Sequence, residues 1–273
     1  MNMKNFLVVM AAMALMLSGC TGEKVQPIHQ ASDLVGKVIG DVTNAAPPEV
    51  YKTLVKEYIG GDAREVQFFN RPSDVIAAIT AGKIDGAPCM SFVAEYYVKR
   101  NSGLKIVEAI KAFPVDIVMM LRAEDSLFRD SLDSAITILQ ENGTLDSLKE
   151  TWVTNLPATN EPSNTEVFRM EGARTLYVGV SGDYTPLDYI AADGRPAGFN
   201  VALLSEISKL LHVNFELVSV ETQAKFSALG SKKIDVVFSQ TYSQQMASLF
   251  SEKLVMTRSY FSDKGRCFLV KKQ

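Results

Sequence analysis

The residues able to do chemistry in this chain are few, and their spacing suits binding better than catalysis. Two histidines, His29 and His212, lie far apart, and the three cysteines Cys20, Cys89 and Cys267 have neither a disulfide-framework count nor metal-ligand spacing to a histidine. No metal, no cofactor and no catalytic residue is expected. Polar side chains do gather where apolar runs end. Ser181-Gly182-Asp183-Tyr184 follows the run Thr175–Val180, Thr222 follows Phe215–Val220, and Ser239-Gln240-Thr241-Tyr242 follows the run from Ile234. In the N-terminal half, Thr43-Asn44-Ala45-Ala46 follows Lys37–Val42, and Cys89-Met90-Ser91 ends the run from Ile84. Open α/β sheets bind ligands outside the carboxyl ends of their strands, so these are the candidate ligand-binding residues. Thr43 and Asn44 also precede a helix whose free N–H groups suit an anionic group. Structural readings stand beside these: caps at Ser239–Thr241, turn residues at Thr43-Asn44, packing for Tyr184, and wall or core for Cys89 and Met90. Asp85 and Asp235 open strands and read as structural, and Cys267 as a strand interior.

The elements that must position these residues alternate. Strand candidates Lys37–Val42, Glu65–Phe69, Ile84–Cys89, Leu104–Ala109 and Asp116–Leu121 are separated by helical stretches at Pro48–Tyr58, Ser73–Ala81 and Phe92–Arg100. Proline at a helix start and glycine past its end mark the boundaries. Helices Leu127–Gln140 and Leu145–Trp152 follow, split by Asn142-Gly143. Residues 155–173 lose periodicity and gather Pro, Asn, Thr and Ser, which marks a linker. The pattern then restarts with strand Thr175–Val180, a hairpin turn at Asp193-Gly194, helix Val201–Leu211, strand Phe215–Val220, helix Gln223–Leu229, strand Ile234–Ser239, a helical stretch near Gln244–Ser251 and strand Arg266–Val270. Alternation of this kind implies βαβ units and mainly parallel sheets. Ala81-Gly82-Lys83-Ile84-Asp85 echoes Ser231-Lys232-Lys233-Ile234-Asp235, a weak internal repeat that two similar lobes would explain.

The chain has 273 residues, 47% hydrophobic and 22% charged, with net charge -3, which excludes the strongly basic face expected of a nucleic-acid binder. Lys4, the apolar run Phe6–Leu17 and Leu17-Ser18-Gly19-Cys20 read as an export signal, too short to span a membrane. The last four residues resemble the lipobox of bacterial lipoproteins, which implies lipidation at Cys20. The expected organisation is a signal peptide over 1–19, a tether over 20–31, an α/β region over 32–125, two closing helices over 126–154, a linker over 155–173, and a second α/β region over 174–273.

The second α/β region resembles the first lobe of the amino-acid-binding solute-binding proteins of ABC transporters (family 3). The likeness lies in Leu176–Val180, Tyr184-Thr185-Pro186-Leu187-Asp188-Tyr189, Asp193-Gly194 with Gly198-Phe199-Asn200, and Leu229–Val237. The first α/β region resembles the second lobe through Asp33–Gly40 and Ala81–Asp85, and Asn142–Leu145 with Trp152 resembles the family's closing segment. The resemblance implies a two-lobed periplasmic-binding-protein fold, each lobe a mainly parallel sheet flanked by helices, with the lobes in circularly permuted order.

It also implies a lipid-anchored protein of the cell envelope that captures a small polar solute, amino-acid-like or related, for an ABC importer. The alternatives are a ligand-binding sensor or scaffold without a transport role, or a dehydratase on the same fold. The expected partners are the small-molecule ligand, an ABC permease, and the membrane through the anchor. One departure bears on the solute. The family's carboxylate-binding arginine position falls in Gln244-Gln245-Met246-Ala247 and its ammonium-binding aspartate position falls on Met90, leaving Arg258 as the nearest replacement cation. On that reading the cleft lacks partners for a zwitterion, and the common α-amino acids should bind weakly.

Overall fold

The computed structural model describes residues 26–43, 47–159, 169–242 and 251–272. Cys20, Asn44, Ala45 and the stretch Gln244–Ala247 lie outside the described residues. No helix among the described residues is long and apolar enough to cross a membrane.

Apolar runs become strands and amphipathic stretches become helices, in the order the pattern requires. The N-terminal half runs β1 (Val38–Val42), α1 (Pro48–Ile59), β2 (Glu65–Phe69), α2 (Pro72–Ala81), β3 (Gly86–Met90), α3 (Ser91–Arg100), β4 (Leu104–Glu108) and β5 (Val115–Arg122). Both α1 and α2 begin at a proline whose missing N–H costs nothing there. Helices α4 (Ser126–Glu141) and α5 (Thr144–Lys149) follow, and a wide turn over Glu150–Thr154 ends this half. The C-terminal half contains β6 (Thr175–Val180), β7 (Asp183–Tyr184), β8 (Asp188–Ile190), β9 (Pro196–Ala197), α6 (Phe199–Leu211), β10 (Asn214–Ser219), α7 (Lys225–Gly230), β11 (Val236–Tyr242), β12 (Leu254–Met256), β13 (Phe261–Asp263) and β14 (Arg266–Lys271). The Asp193-Gly194 turn joins β8 to β9, which pair antiparallel through Tyr189 and Ala197.

Apart from β7, β8 and β9, which make a small antiparallel sheet of their own, these strands form two sheets on one plan, so the fold is two-lobed α/β. The first sheet has the order β2-β1-β3-β14-β4, and the second contains the path β10-β6-β11-β5-β12 with β13 also on β5. In each, three parallel strands are followed by an antiparallel fourth, β14 or β5. The fourth strands are exchanged: β5 leaves the N-terminal half to join the second lobe, and β14 leaves the C-terminal half to join the first. Lobe membership therefore follows two strand crossings, after β4 and after β13, rather than the 155–173 linker.

The crossings touch. Gly265 has φ +130, and a Cβ there would stand 2.6 Å from the Phe113 carbonyl oxygen and 2.9 Å from its nitrogen. Only glycine allows the two segments to pass this closely. Helices α4 and α5 and the turn after them pack on the second lobe, where Leu132, Ile136, Leu139, Leu145 and Trp152 share one core with Phe199, Leu203 and Ile207. The first lobe's core draws on both ends of the described chain, since Ile28, Ala31 and Leu34 pack with Phe268 and Val270.

Candidate functional site

A cavity of about 130 Å³ lies between the lobes. The first lobe supplies the ends of β1 and β3, one side of α2 and α3, and the start of β14. The second supplies Ser181, Tyr184, Thr222, Lys225 and the end of β11. Of the sequence-derived candidates, Tyr184, Thr222, Ser239, Gln240, Thr241 and Met90 line it together. The bulge in β11 between Val237 and Gln240 accounts for part of this. Ser239 sits there at φ 58, a left-handed conformation costing on the order of 1 kcal/mol for a non-glycine residue. A bulge re-aims side chains at a strand end, and here it brings Ser239, Gln240 and Thr241 to the cleft.

Other candidates are engaged elsewhere. Asp183 accepts hydrogen bonds from Arg71 Nε and Ser73 Oγ of the opposite lobe, both at 3.1 Å, and is not part of the cavity wall. The Ser91 amide donates to Asp263 at 2.8 Å and its hydroxyl bonds the same carboxylate, so Ser91 fixes the end of β13 rather than facing the cleft. Thr43 donates its amide to the Phe69 carbonyl at 2.8 Å, and Tyr242 pairs with Asp116 at the far end of β11; neither lines the cavity. Arg258 is also directed away. Its amide reaches Asp133 and its guanidinium bonds the Thr137 hydroxyl on α4. Asp85 accepts the Val38 amide at 2.8 Å, and Asp235 accepts the Tyr177 amide at 2.9 Å and Arg122 at 3.1 Å, so both hold strand starts.

The charges that the cleft was expected to lack are present, supplied by residues outside that reading. Asp41, Lys225 and Arg266 all line the cavity. Arg266 opens β14, whose antiparallel course places its first residue opposite Met90, at the carboxyl edge of β3. Burial works against its cation, but Asp41 and Tyr58 beside it outweigh burial and hold its pKa above the ordinary arginine value. Burial raises the Asp41 carboxyl to about 6, with Arg266 and the Val42 amide pulling the other way. Burial likewise raises the Tyr184 phenol, so it faces the cavity as a neutral hydroxyl.

Lys225 is 6% exposed, and its amine reaches the Phe238 carbonyl at 3.5 Å. Burial lowers its pKa, and Asp188 opposes that shift. Asp188 lies behind the wall, 1% exposed, and accepts from Ser181 Oγ, Gly182 N, Asn200 Nδ2 and Ser239 Oγ at 3.0–3.1 Å. Burial raises its pKa, with Lys225, the Gly182 amide, Asn200 and Ser181 pulling the other way. Asp188 therefore both knits the β7–β8 turn to β11 and α6 and serves as a counter-charge for Lys225. The apolar walls are Val75, Ile76, Val93, Met90 and Leu269. Apolar faces with a few convergent polar groups are the usual make-up of a small-molecule site.

Polar contacts join the lobes around this cavity, the bonds of Ser91 to Asp263 among them. Besides Asp183 with Arg71 and Ser73, Thr185 Oγ1 donates to Tyr97 OH at 2.9 Å, and Gln223 Nε2 donates to Asn70 Oδ1 at 3.1 Å.

Residues 176–273 match the profile described as bacterial extracellular solute-binding proteins, family 3, and residues 5–118 match one described as NMT1/THI5 like. The arginine-binding extracellular protein ArtP of Bacillus subtilis (strain 168) is 30% identical over 134 residues, covering 48% of this chain and 51% of ArtP. The L-cystine-binding protein TcyJ of Escherichia coli (strain K12) is 36% identical over 66 residues, covering 24% of this chain and 25% of TcyJ. In these matches the chain spans about half the length of ArtP and about a quarter of TcyJ. The GluR0 ligand-binding core, solved in complex with L-glutamate, superposes with a TM-score of 0.41 at 14% identity, covering 88% of this chain and 86% of that one. The likeness to the bacterial extracellular solute-binding proteins, family 3, is thus carried by the C-terminal region, residues 176–273.

Proposed function

We propose that this chain is an extracytoplasmic lipoprotein, anchored through Cys20, that captures a small polar solute, amino-acid-like or related, between its lobes and delivers it to an ABC permease. The observation that carries this reading is the cavity itself, where each lobe contributes a cation and polar hydroxyl or amide groups to one cleft. Two lobes linked by two adjacent crossing strands are suited to rigid-body closure on a ligand. Binding without chemistry is the better reading because Asp41, Lys225 and Arg266 offer charges of both signs, while the wall hydroxyls of Ser181 and Ser239 are taken up in holding Asp188 behind the wall.

The lobe order belongs to the same proposal. The chain is a circular permutant in which joining Gln273 to about Ser32 and opening the 155–173 linker gives the order common to the family. In support, Ile28, Ala31 and Leu34 share a core with Val270, so the two ends of the described chain meet on one lobe. Termini that lie close together permit such rearrangement.

The test uses the full-length protein purified from membranes in detergent. Calorimetry against the twenty amino acids and small organic acids should find at least one solute binding at micromolar concentration or tighter. Fatty-acid labelling should mark the wild type and be lost in Cys20→Ser. Heat-free titrations throughout would overturn solute capture, and an unlabelled mature wild type would overturn the anchor.

A further inference from the structure

The hydrogen-bonding inventory of the cavity is unbalanced in one direction. Lys225 carries three N–H donors, is more than nine-tenths buried, and has one acceptor, the Phe238 carbonyl, at the outer limit of hydrogen bonding. Arg266 carries five donors, and among the described residues no acceptor lies within hydrogen-bonding or ion-pair distance of its guanidinium; Asp41 acts on it only through space. The acids as placed do not absorb this excess. Asp188 lies outside the cavity wall with both oxygens occupied by four donors, and Asp41 already accepts the Val42 amide at 2.7 Å. On the cavity wall itself stand two cations and one carboxylate.

The two cations belong to different lobes. Lys225 opens α7 on the second lobe, and Arg266 opens β14 on the first. A solute group that accepts from both would tie the lobes together, and closure would remove it from water. Donors shut away from water without acceptors are costly, so closure over a solute lacking acceptors at this end would be penalised.

We infer that the solute is a small carboxylate of net negative charge, whose carboxylate oxygens are shared between Arg266 of one lobe and Lys225 of the other. A planar guanidinium and a carboxylate match as a two-bond fork, and Lys225 adds a point charge from the facing side. Asp41 then takes up an ammonium where the solute has one, and the apolar wall of Val75, Ile76 and Leu269 covers the carbon body. A cationic solute such as arginine would instead bring a donor-rich group to a donor-rich wall.

This inference rests on the cleft being a solute site, and the experiment separates the two. Calorimetry of the full-length protein uses L-glutamate, succinate and pyruvate as anionic probes, L-glutamine and L-leucine as neutral zwitterions, and L-arginine as a cationic probe. At least one anionic probe should bind tenfold or more tightly than every neutral or cationic one. Arg266→Gln should weaken that probe by tenfold or more, with a smaller loss in Arg266→Lys. If L-arginine, L-glutamine or L-leucine binds more tightly than all three anions, the charge class is wrong while solute capture stands. If Arg266→Gln melts like the wild type yet keeps full anion affinity, the assignment of Arg266 is wrong. If Arg266→Gln does not fold, the ranking of probes on the wild type decides alone. If no probe binds, solute capture and this inference fall together.

Discussion

Removing the Asp183 carboxylate should open the lobes without touching the cavity wall. Asp183 is 11% exposed and accepts two bonds from the start of α2, one from Arg71 and one from Ser73. Arg71 is 59% exposed, so solvent screens its ion pair to about 0.5 kcal/mol. The Ser73 hydroxyl donates to a carboxylate largely withdrawn from water, which is worth about 1.5 kcal/mol. Together they favour the closed arrangement by about 2 kcal/mol, a population ratio of roughly 30. Asp183→Ala should shift the equilibrium by that factor, enlarge the radius of gyration of the ligand-free protein in X-ray scattering, and weaken solute binding by up to the same factor. Asp183→Asn keeps an acceptor for Ser73 and should lose less. The reversed pair Asp183→Arg with Arg71→Asp should recover part of the closure. Unchanged scattering and unchanged affinity in Asp183→Ala would refute the reasoning, and would mean that the other contacts between the lobes, such as Thr185 with Tyr97 and Ser91 with Asp263, suffice for closure.

Three further outcomes follow from the same geometry. Burial holds the Asp41 carboxyl at about 6, above its unfolded value, so the stability it contributes is full below the unfolded pKa and lost as pH rises through about 6. Between pH 5 and pH 7.5 this amounts to about 1.4 kcal/mol, which Asp41→Asn should remove from the pH dependence of urea unfolding; an unaltered slope would contradict it. Gly265→Ala drives a Cβ into the Phe113 backbone and should lower stability by at least ~2 kcal/mol in denaturant titration, whereas Gly143→Ala, with nothing within 4 Å of its Cβ, should lose only the smaller cost of its positive φ. In fractionation, Cys20→Ser should leave the membrane fraction; a variant that stays there would show that another segment anchors the chain.

The sequence by itself determined the element order and part of the cavity wall. Periodicity, proline starts and glycine stops are local signals, so β1 to β4 with their helices, and the β6–α6 unit, are legible without tertiary knowledge. The strand-end rule found Tyr184, Thr222, Ser239, Gln240, Thr241 and Met90 because parallel strands present their carboxyl ends to a ligand. That rule misses Arg266 for a physical reason: β14 runs antiparallel, so its first residue stands beside the last residue of β3. The signal available in the sequence was a cation between Gly265 and the apolar run Cys267–Val270. Lys225 was hidden because a lysine at a helix start reads as solvated, and only the fold buries it beside Asp188. Asp41 was passed over as an ordinary strand residue. Asp183 was legible as a polar group at the cleft, but its partners Arg71 and Ser73 lie more than a hundred residues away, and only the placement of one lobe against the other makes it a latch. The exchange of β5 and β14 is likewise a tertiary decision, since each strand's apolar pattern would satisfy either sheet. The close passage at Gly265 lets both crossings happen side by side.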